Sequence, residues 1–370
     1  MDRIDTGFYF HIPFCRSKCP YCDFYSLCEK QCSDGYVSAL CDEIKSFRRV
    51  REFVRKDDIG AVDTIYFGGG TPSLMTGEQL KVIISTVKEN FCVRDNCEIT
   101  VECNPSSENL SNFLHTAASS GVNRISLGMQ SSSDNERKKL GRKGNAASVR
   151  EAVDITRDAG IDNISLDCMI GVPDSSISTL EGTLDFALSL EVPHISAYML
   201  KIEEGTYYYR NQDKLSLPSE DETADMYLFM SEYLKRNGYL HYEISNFCKE
   251  GFYSRHNMKY WDGLPYIGFG PAAHSFFNGR RFFFPRDTDY FIEGKKAVSD
   301  GYGGDEEERV LLSLRTYKGI GLRDKNAEFI NKAEYFAKHG FAVIDADRFI
   351  LTAEGFLLSN TIISELLSVL

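Results

Sequence analysis

Through the first two-thirds of the chain one order recurs: a short run rich in Ile, Val, Tyr or Phe, a polar or glycine turn, then an amphipathic stretch. The runs fall at residues 8–12, 64–67, 99–103, 124–127, 163–167 and 194–199. Short, apolar and β-rich, they have the character of parallel strands buried on both faces. Helical period lies between them, as in residues 78–89 and 148–159, the second stopped by Gly160. About six βα units in series predict an α/β fold whose parallel sheet curls into a partial or full barrel. Ligands in such sheets sit at the carboxyl ends of the strands.

After Leu200 the rhythm changes. Residues 201–218 are polar, Tyr-rich and loop-like, and Ser219 with Glu222 forms a capping box for a helix to about Arg236. Residues 250–303 are rich in Gly and aromatics with little helical period, and Glu306-Glu307-Glu308 opens another helix through Arg315. From Phe341 the tail reads as a β-hairpin followed by a helix, like a small winged-helix appendage. The expected division is a core over residues 1–215 and a smaller α+β region over 216–370. With 42% hydrophobic residues in 370, the chain has side chain enough for a large core, which excludes a disordered or fibrous class. A net charge of −12 counts against broad nucleic-acid binding and limits any membrane association to a peripheral one. The start, Met1-Asp2-Arg3-Ile4-Asp5, is no signal peptide, and no apolar run is long enough to span a bilayer, so a cytoplasmic protein is expected.

Eleven cysteines cannot all pair internally. In a reducing compartment clustered cysteines read as metal ligands before disulfides. Cys15, Cys19 and Cys22 stand at C-x3-C-x2-C just after the first predicted strand, in His11-Ile12-Pro13-Phe14-Cys15-Arg16-Ser17-Lys18-Cys19-Pro20-Tyr21-Cys22-Asp23-Phe24. Three thiols on one loop suit a [4Fe–4S] cube and leave its fourth iron open to a ligand. A structural zinc site is the alternative, with Cys28 or His11 as fourth ligand, though the usual paired spacing is absent. The cysteines at 28, 32, 41, 92, 97, 103, 168 and 248 are scattered and read mostly as small buried residues.

The cysteine spacing, with an aromatic before the last Cys, resembles the radical S-adenosylmethionine (SAM) superfamily. That resemblance implies a partial (β/α)6 barrel, a [4Fe–4S] cluster and SAM bound at the open iron. The strand ends agree with it. Gly68-Gly69-Gly70-Thr71 follows the second strand, where glycines permit close backbone approach. Glu102, Gln130 and Asp167 end the third, fourth and fifth strands, and Arg142 follows in Leu140-Gly141-Arg142. An acidic group at a strand end suits ribose hydroxyls, and an arginine suits a carboxylate. Singly, each reads as a solvated loop residue. Together they resemble the porphyrin branch of the superfamily, in which Tyr9, Gly69, Gly70, Thr71, Glu102, Gln130, Arg142 and Asp167 match SAM contacts. One departure is visible: Lys143 follows Arg142 and the family's next His is missing.

Two subgroups share this core. The oxygen-independent coproporphyrinogen III oxidase HemN carries an extra cysteine where Phe24 stands here, and a longer segment before its first cysteine. The HemW haem chaperones are similar over nearly the whole length and carry His-Asn-x-x-Tyr-Trp, present as His256-Asn257-Met258-Lys259-Tyr260-Trp261. Residues 266–275 and 351–360 match further. The expected function is therefore that of a haem chaperone, with haem acceptor proteins and an electron donor as partners; the oxidase is the alternative, and a redox-inert cluster scaffold a third. His256 and Trp261 are candidate haem contacts, imidazole as axial ligand and indole over the macrocycle. The other reading has His256 hydrogen-bonded within a loop and Trp261 packed in the core.

Overall fold

The computed structural model describes residues 4–370. One sheet of 12 strands runs through most of it. We number them β1 (Ile4–Ile12), β2 (Ile59–Gly69), β3 (Val93–Cys103), β4 (Arg124–Gln130), β5 (Ile164–Ile170), β6 (His194–Met199), β7 (Leu240–Glu243), β8 (Asn246–Cys248), β9 (Tyr266–Phe269), β10 (His274–Phe277), β11 (Arg280–Phe283) and β12 (Val298–Tyr302). β1 to β6 are parallel neighbours in chain order. Beyond β6 lie β8 and then β7, both pairings antiparallel. On the other side of β1 lies β9, parallel to it, followed by antiparallel β10, β11 and β12. The sheet is not closed, and its parallel part is the partial barrel that the βα rhythm predicts.

Pleating sorts the strand residues onto two faces. Phe8, Phe10, Ile65, Phe67, Val101, Leu127, Leu166 and Ile195 go outward and are fully buried. They pack under helices that follow the strands: Asp34–Ser46, Gly77–Asn90, Leu110–Ser119, Ala146–Asp158, Ile177–Ser189 and Glu220–Arg236. The Phe10 ring stacks between Phe67 and Phe269, with centroids 4.9 Å away on each side. The inward face is polar by contrast: Tyr9, His11, Tyr66, Glu102, Ser126 and Asp167. A hydrophobic outer layer and a polar inner one leave an interior able to receive a polar ligand.

The predicted helices form with small shifts at their ends, and the Ser219–Glu222 capping box is present. Residues 250–303, expected to carry little helix, hold β9 to β12 and a helix at Arg255–Trp261. After residue 320 a small antiparallel sheet joins Ile320–Gly321, Ala342–Asp345 and Arg348–Leu351, with helices Ala327–Lys338, Ala353–Leu357 and Ser359–Leu367 beside it. Among the described residues no helix is long and apolar enough to cross a membrane.

Candidate functional site

β1 ends at Ile12, and Pro13 leads the chain into the cysteine loop. Cys15, Cys19 and Cys22 are free thiols and only partly covered. The loop folds back so that Phe14–Cys15 pairs in parallel with Leu27–Cys28, Cys15 opposite Cys28. The Leu27 N–H donates to the Pro13 carbonyl at 2.7 Å, and the Cys22 N–H to the Cys19 carbonyl at 3.1 Å. Burial pushes the Cys15 and Cys22 thiols up, and the neighbouring thiols add to it. Among the described residues no three His, Cys, Asp or Glu side chains converge on a single ion. A cube gives each thiolate its own iron, so its ligands stand apart. His11 offers no ring nitrogen: Nδ1 meets the Tyr9 hydroxyl at 3.1 Å and Nε2 the Tyr25 carbonyl at 2.9 Å. Burial also pushes it down to about 4.

The glycine run is laced to this loop. The Gly70 N–H donates to the Ile12 carbonyl at 2.9 Å, and the Thr71 N–H to the Phe14 carbonyl at 2.8 Å. Thr71 Oγ1 lies 3.5 Å from Cys15 Sγ. Gly69 has φ +107°, and a Cβ there would stand 2.6 Å from the His11 ring. At Gly70 a Cβ would stand 2.7 Å from the Phe14 carbonyl oxygen. The room these glycines leave is filled by the end of β1 and the start of the cysteine loop. Lacking a Cβ, they let the end of β2 approach β1 and the cysteine loop closely.

The polar strand ends gather around that junction. Tyr66 donates from its hydroxyl to Glu102 Oε1 at 2.8 Å, and Ser126 to Asp167 Oδ1 at 2.9 Å. Neither carboxylate has an ion pair among the described residues. Burial, then the nearby Asp167, pushes Glu102 up to about 7. Burial pushes Asp167 up to about 6. Gln130 is buried at φ +71°, a strained setting for a residue with a side chain, and takes the Tyr198 hydroxyl at 3.1 Å. Arg142 Nη2 donates to the Gly128 carbonyl at 2.6 Å, and Nη1 lies 3.9 Å from Cys19 Sγ. Two unpaired carboxyls and an arginine beside a thiol loop are a donor set that fits the hydroxyls of a ribose and the carboxylate of an amino acid.

Sequence reasoning missed four residues here. Tyr66, Ser126 and Tyr198 hold the polar strand ends in place. Arg124, 2% exposed, sits inside the barrel with no ion pair among the described residues, and its Nε has no hydrogen-bond partner. Tyr66, Ser126 and Arg124 share the period-two face of Gly68 or Gly128, so alternation along the strand would have found them.

His256 and Trp261 lie at the opposite, amino-terminal mouth. Their helix, Arg255–Trp261, plugs the floor of the barrel, with the His256 ring stacked on Tyr66 at 5.2 Å. His256 Nδ1 meets Thr64 Oγ1 at 2.8 Å and Nε2 the Tyr260 hydroxyl at 2.7 Å. Burial, reinforced by Lys259 and Arg124, pushes its pKa down to about 3. Trp261 packs against Tyr242, Cys248 and Met258.

A thiol loop joined to polar strand ends on an open parallel barrel defines the class. Residues 9–187 match the model of the radical SAM superfamily. The structure of Escherichia coli coproporphyrinogen III oxidase (HemN), a radical SAM enzyme, superposes with a TM-score of 0.80 over 98% of this chain and 90% of that one, at 19% identity. The protein named heme chaperone HemW of Lactococcus lactis is 32% identical over 97% of this chain and 96% of its own length. Its namesake in Mycobacterium tuberculosis is 32% identical over 98% and 94%. The chain belongs to the HemW family of radical SAM proteins. Membership of the superfamily implies a [4Fe–4S] cluster and SAM.

Proposed function

We propose that Cys15, Cys19 and Cys22 hold the cluster, that Tyr9, Gly69, Gly70, Thr71, Glu102, Gln130, Arg142 and Asp167 line the SAM site, and that the chain is a haem chaperone. One observation supports the site: Thr71 and Arg142 reach Cys15 and Cys19, so the strand ends and the thiol loop adjoin. A cluster held by Cys15, Cys19 and Cys22, once reduced by an electron donor, would supply an electron to the sulfonium of bound SAM. There Arg142 would pair with the amino-acid carboxylate, and Glu102 and Asp167 would take ribose hydroxyls. The Gly69–Thr71 turn holds the loop against the strand ends. Haem as cargo rests on the relatives' name and on near-complete mutual coverage with them. Haem acceptor proteins and an electron donor are then the partners. The oxidase reading has the likeness of fold to HemN. Against it, the position of the oxidase's extra cysteine is Phe24, 67% exposed.

Anaerobic reconstitution with iron and sulfide should give visible absorbance that changes on adding SAM. Cys15→Ala, Cys19→Ala and Cys22→Ala together should abolish both. Haem titrated into the purified chain should give a saturable Soret band. Sustained formation of protoporphyrinogen IX from coproporphyrinogen III, SAM and a reductant would restore the oxidase.

A further inference from the structure

A haem carrier needs a side chain that meets the iron, and a census of the imidazoles singles out one; the inference rests on the haem reading above. The chain has 7 histidines. In His11, His194, His241 and His256 both ring nitrogens are engaged by hydroxyls or carbonyls of the fold. His115 and His339 are on the outer helix Leu110–Ser119 and at the end of the tail helix Ala327–Lys338. Each turns Nδ1 to a carbonyl one turn back. His274 differs in partner and in place.

The His274 side chain is 58% exposed, and its Nδ1 lies 3.5 Å from Asp300 Oδ2. Among the described residues no hydrogen bond occupies Nε2. A carboxylate beside one ring nitrogen with the other free is the usual arrangement of a metal-binding histidine, because the carboxylate orients the ring and selects its tautomer. The ring is also held in orientation, stacked on Phe283 at 5.1 Å and 16°. Phe283 is in register with Val298 on the next strand, which is 40% exposed. Imidazole, phenyl and isopropyl groups therefore form a cross-strand row about 10 Å wide over β10, β11 and β12. The row is on the inner face. β9 residue Tyr266 is opposite Gly7 on one side and Phe276 on the other, and His274 shares the face of Phe276. The row is also at the cysteine end, since just past β11 Arg286 pairs with Asp23 of that loop at 3.3 Å.

We propose that His274 is the axial ligand of the haem iron, on a shallow site formed by the inner face of β10–β12 beside the cluster loop. The macrocycle lies over the row, with Phe283 and Val298 against its apolar face and the imidazole Nε2 on the iron. The cavity beside the His256 helix is the poorer place. It holds about 270 Å³ and its wall carries Asp63, Arg255, Lys259, Asp262 and Lys318. Ligand pockets for sizeable molecules run to roughly 300–1,000 Å³ with mostly apolar walls.

The test is haem titration followed by absorbance on the full chain, comparing wild type with His274→Ala, Asp300→Asn, His115→Ala and His339→Ala. His274→Ala should shift the Soret band and weaken binding by on the order of tenfold or more, and added free imidazole should restore the band position. Asp300→Asn should weaken binding by about tenfold with the band retained. The His115 and His339 variants should match wild type. His274 is exposed, so circular dichroism of its variant should match that of wild type. Saturable binding to wild type with an unchanged band and affinity in His274→Ala overturns the inference and leaves the haem reading standing. No saturable band in wild type overturns both.

Discussion

Glu102 is a buried carboxyl with no ion pair among the described residues, and without the proposed SAM its charge is a burden. Its folded value of about 7 lies above the ordinary 4.5. The folded chain therefore holds this proton more tightly than the unfolded chain does. Stability from this group is complete below pH 4.5 and declines as pH rises to about 7, then levels. Asp167 acts the same way between 3.8 and about 6. Glu102→Gln keeps an acceptor for the Tyr66 hydroxyl and removes the titration. Between pH 5 and 8 the cluster-free wild type should lose up to about 3 kcal/mol that the variant keeps. Urea unfolding of both chains at the two pH values measures it. Equal slopes would mean that Glu102 titrates in the fold as it does in water. The stabilised variant should bind SAM more weakly, since a neutral amide is a poorer acceptor for ribose hydroxyls.

The helix Arg255–Trp261 is a short element made stable from outside itself. Glu98 on β3 accepts the Arg255 and His256 N–H groups at 3.0 and 2.9 Å, so a carboxylate closes the helix N-terminus. Lys259 pairs with Asp63 of β2 at 2.8 Å. His256 ties the helix to Thr64 and to its own Tyr260. His256→Ala should therefore cost about 2–4 kcal/mol, because it strands two buried hydroxyls and opens a cavity. Urea unfolding reads this directly, and the Soret band of the haem-loaded variant should stay where it is in wild type. A shifted band with unchanged stability would make His256 a ligand and not a plug. This helix also marks where the sequence stops being legible. Gly77–Asn90 is readable because its 14 residues show a full apolar period behind the Thr76–Gln79 capping box. Arg255–Trp261 has two turns, too few for a period to register, and its partners Glu98 and Thr64 are distant in sequence. The polar strand ends were legible because they interrupt apolar runs; strand alternation puts Arg124 on the inner face, but nothing in its neighbours says that it finds no counter-charge there.

At the scale of the molecule, the expected boundary near residue 215 falls within one continuous sheet. β1, the first strand of the barrel, has β2 on one side and β9, from residues 266–269, on the other. β6 is likewise covered by β8. A chain ending at residue 215 would turn both strands into open edges, and β1 would lose its register with Tyr266–Phe269. Phe8 and Phe10 would also lose the Phe269 ring, which stands 5.1 and 4.9 Å from them. The floor plug would go too, leaving Thr64 and Tyr66 facing an empty barrel. An unpaired edge flanked by buried aromatics is a template for pairing with another chain. Residues 1–215 expressed alone should therefore be insoluble or oligomeric, with no cooperative unfolding transition. By contrast, the chain cut after residue 319 keeps all 12 strands of the main sheet and sheds only the small tail sheet with its helices. It should retain cluster and SAM binding while losing some stability, as the Phe356 ring that packs 5.1 Å from His241 goes with the tail. Size-exclusion chromatography and thermal unfolding of the two truncations decide the matter. A monomeric, cooperatively folding 1–215 would show that the later strands are an addition to a barrel already complete, and that the site at its carboxyl end needs nothing from beyond β6.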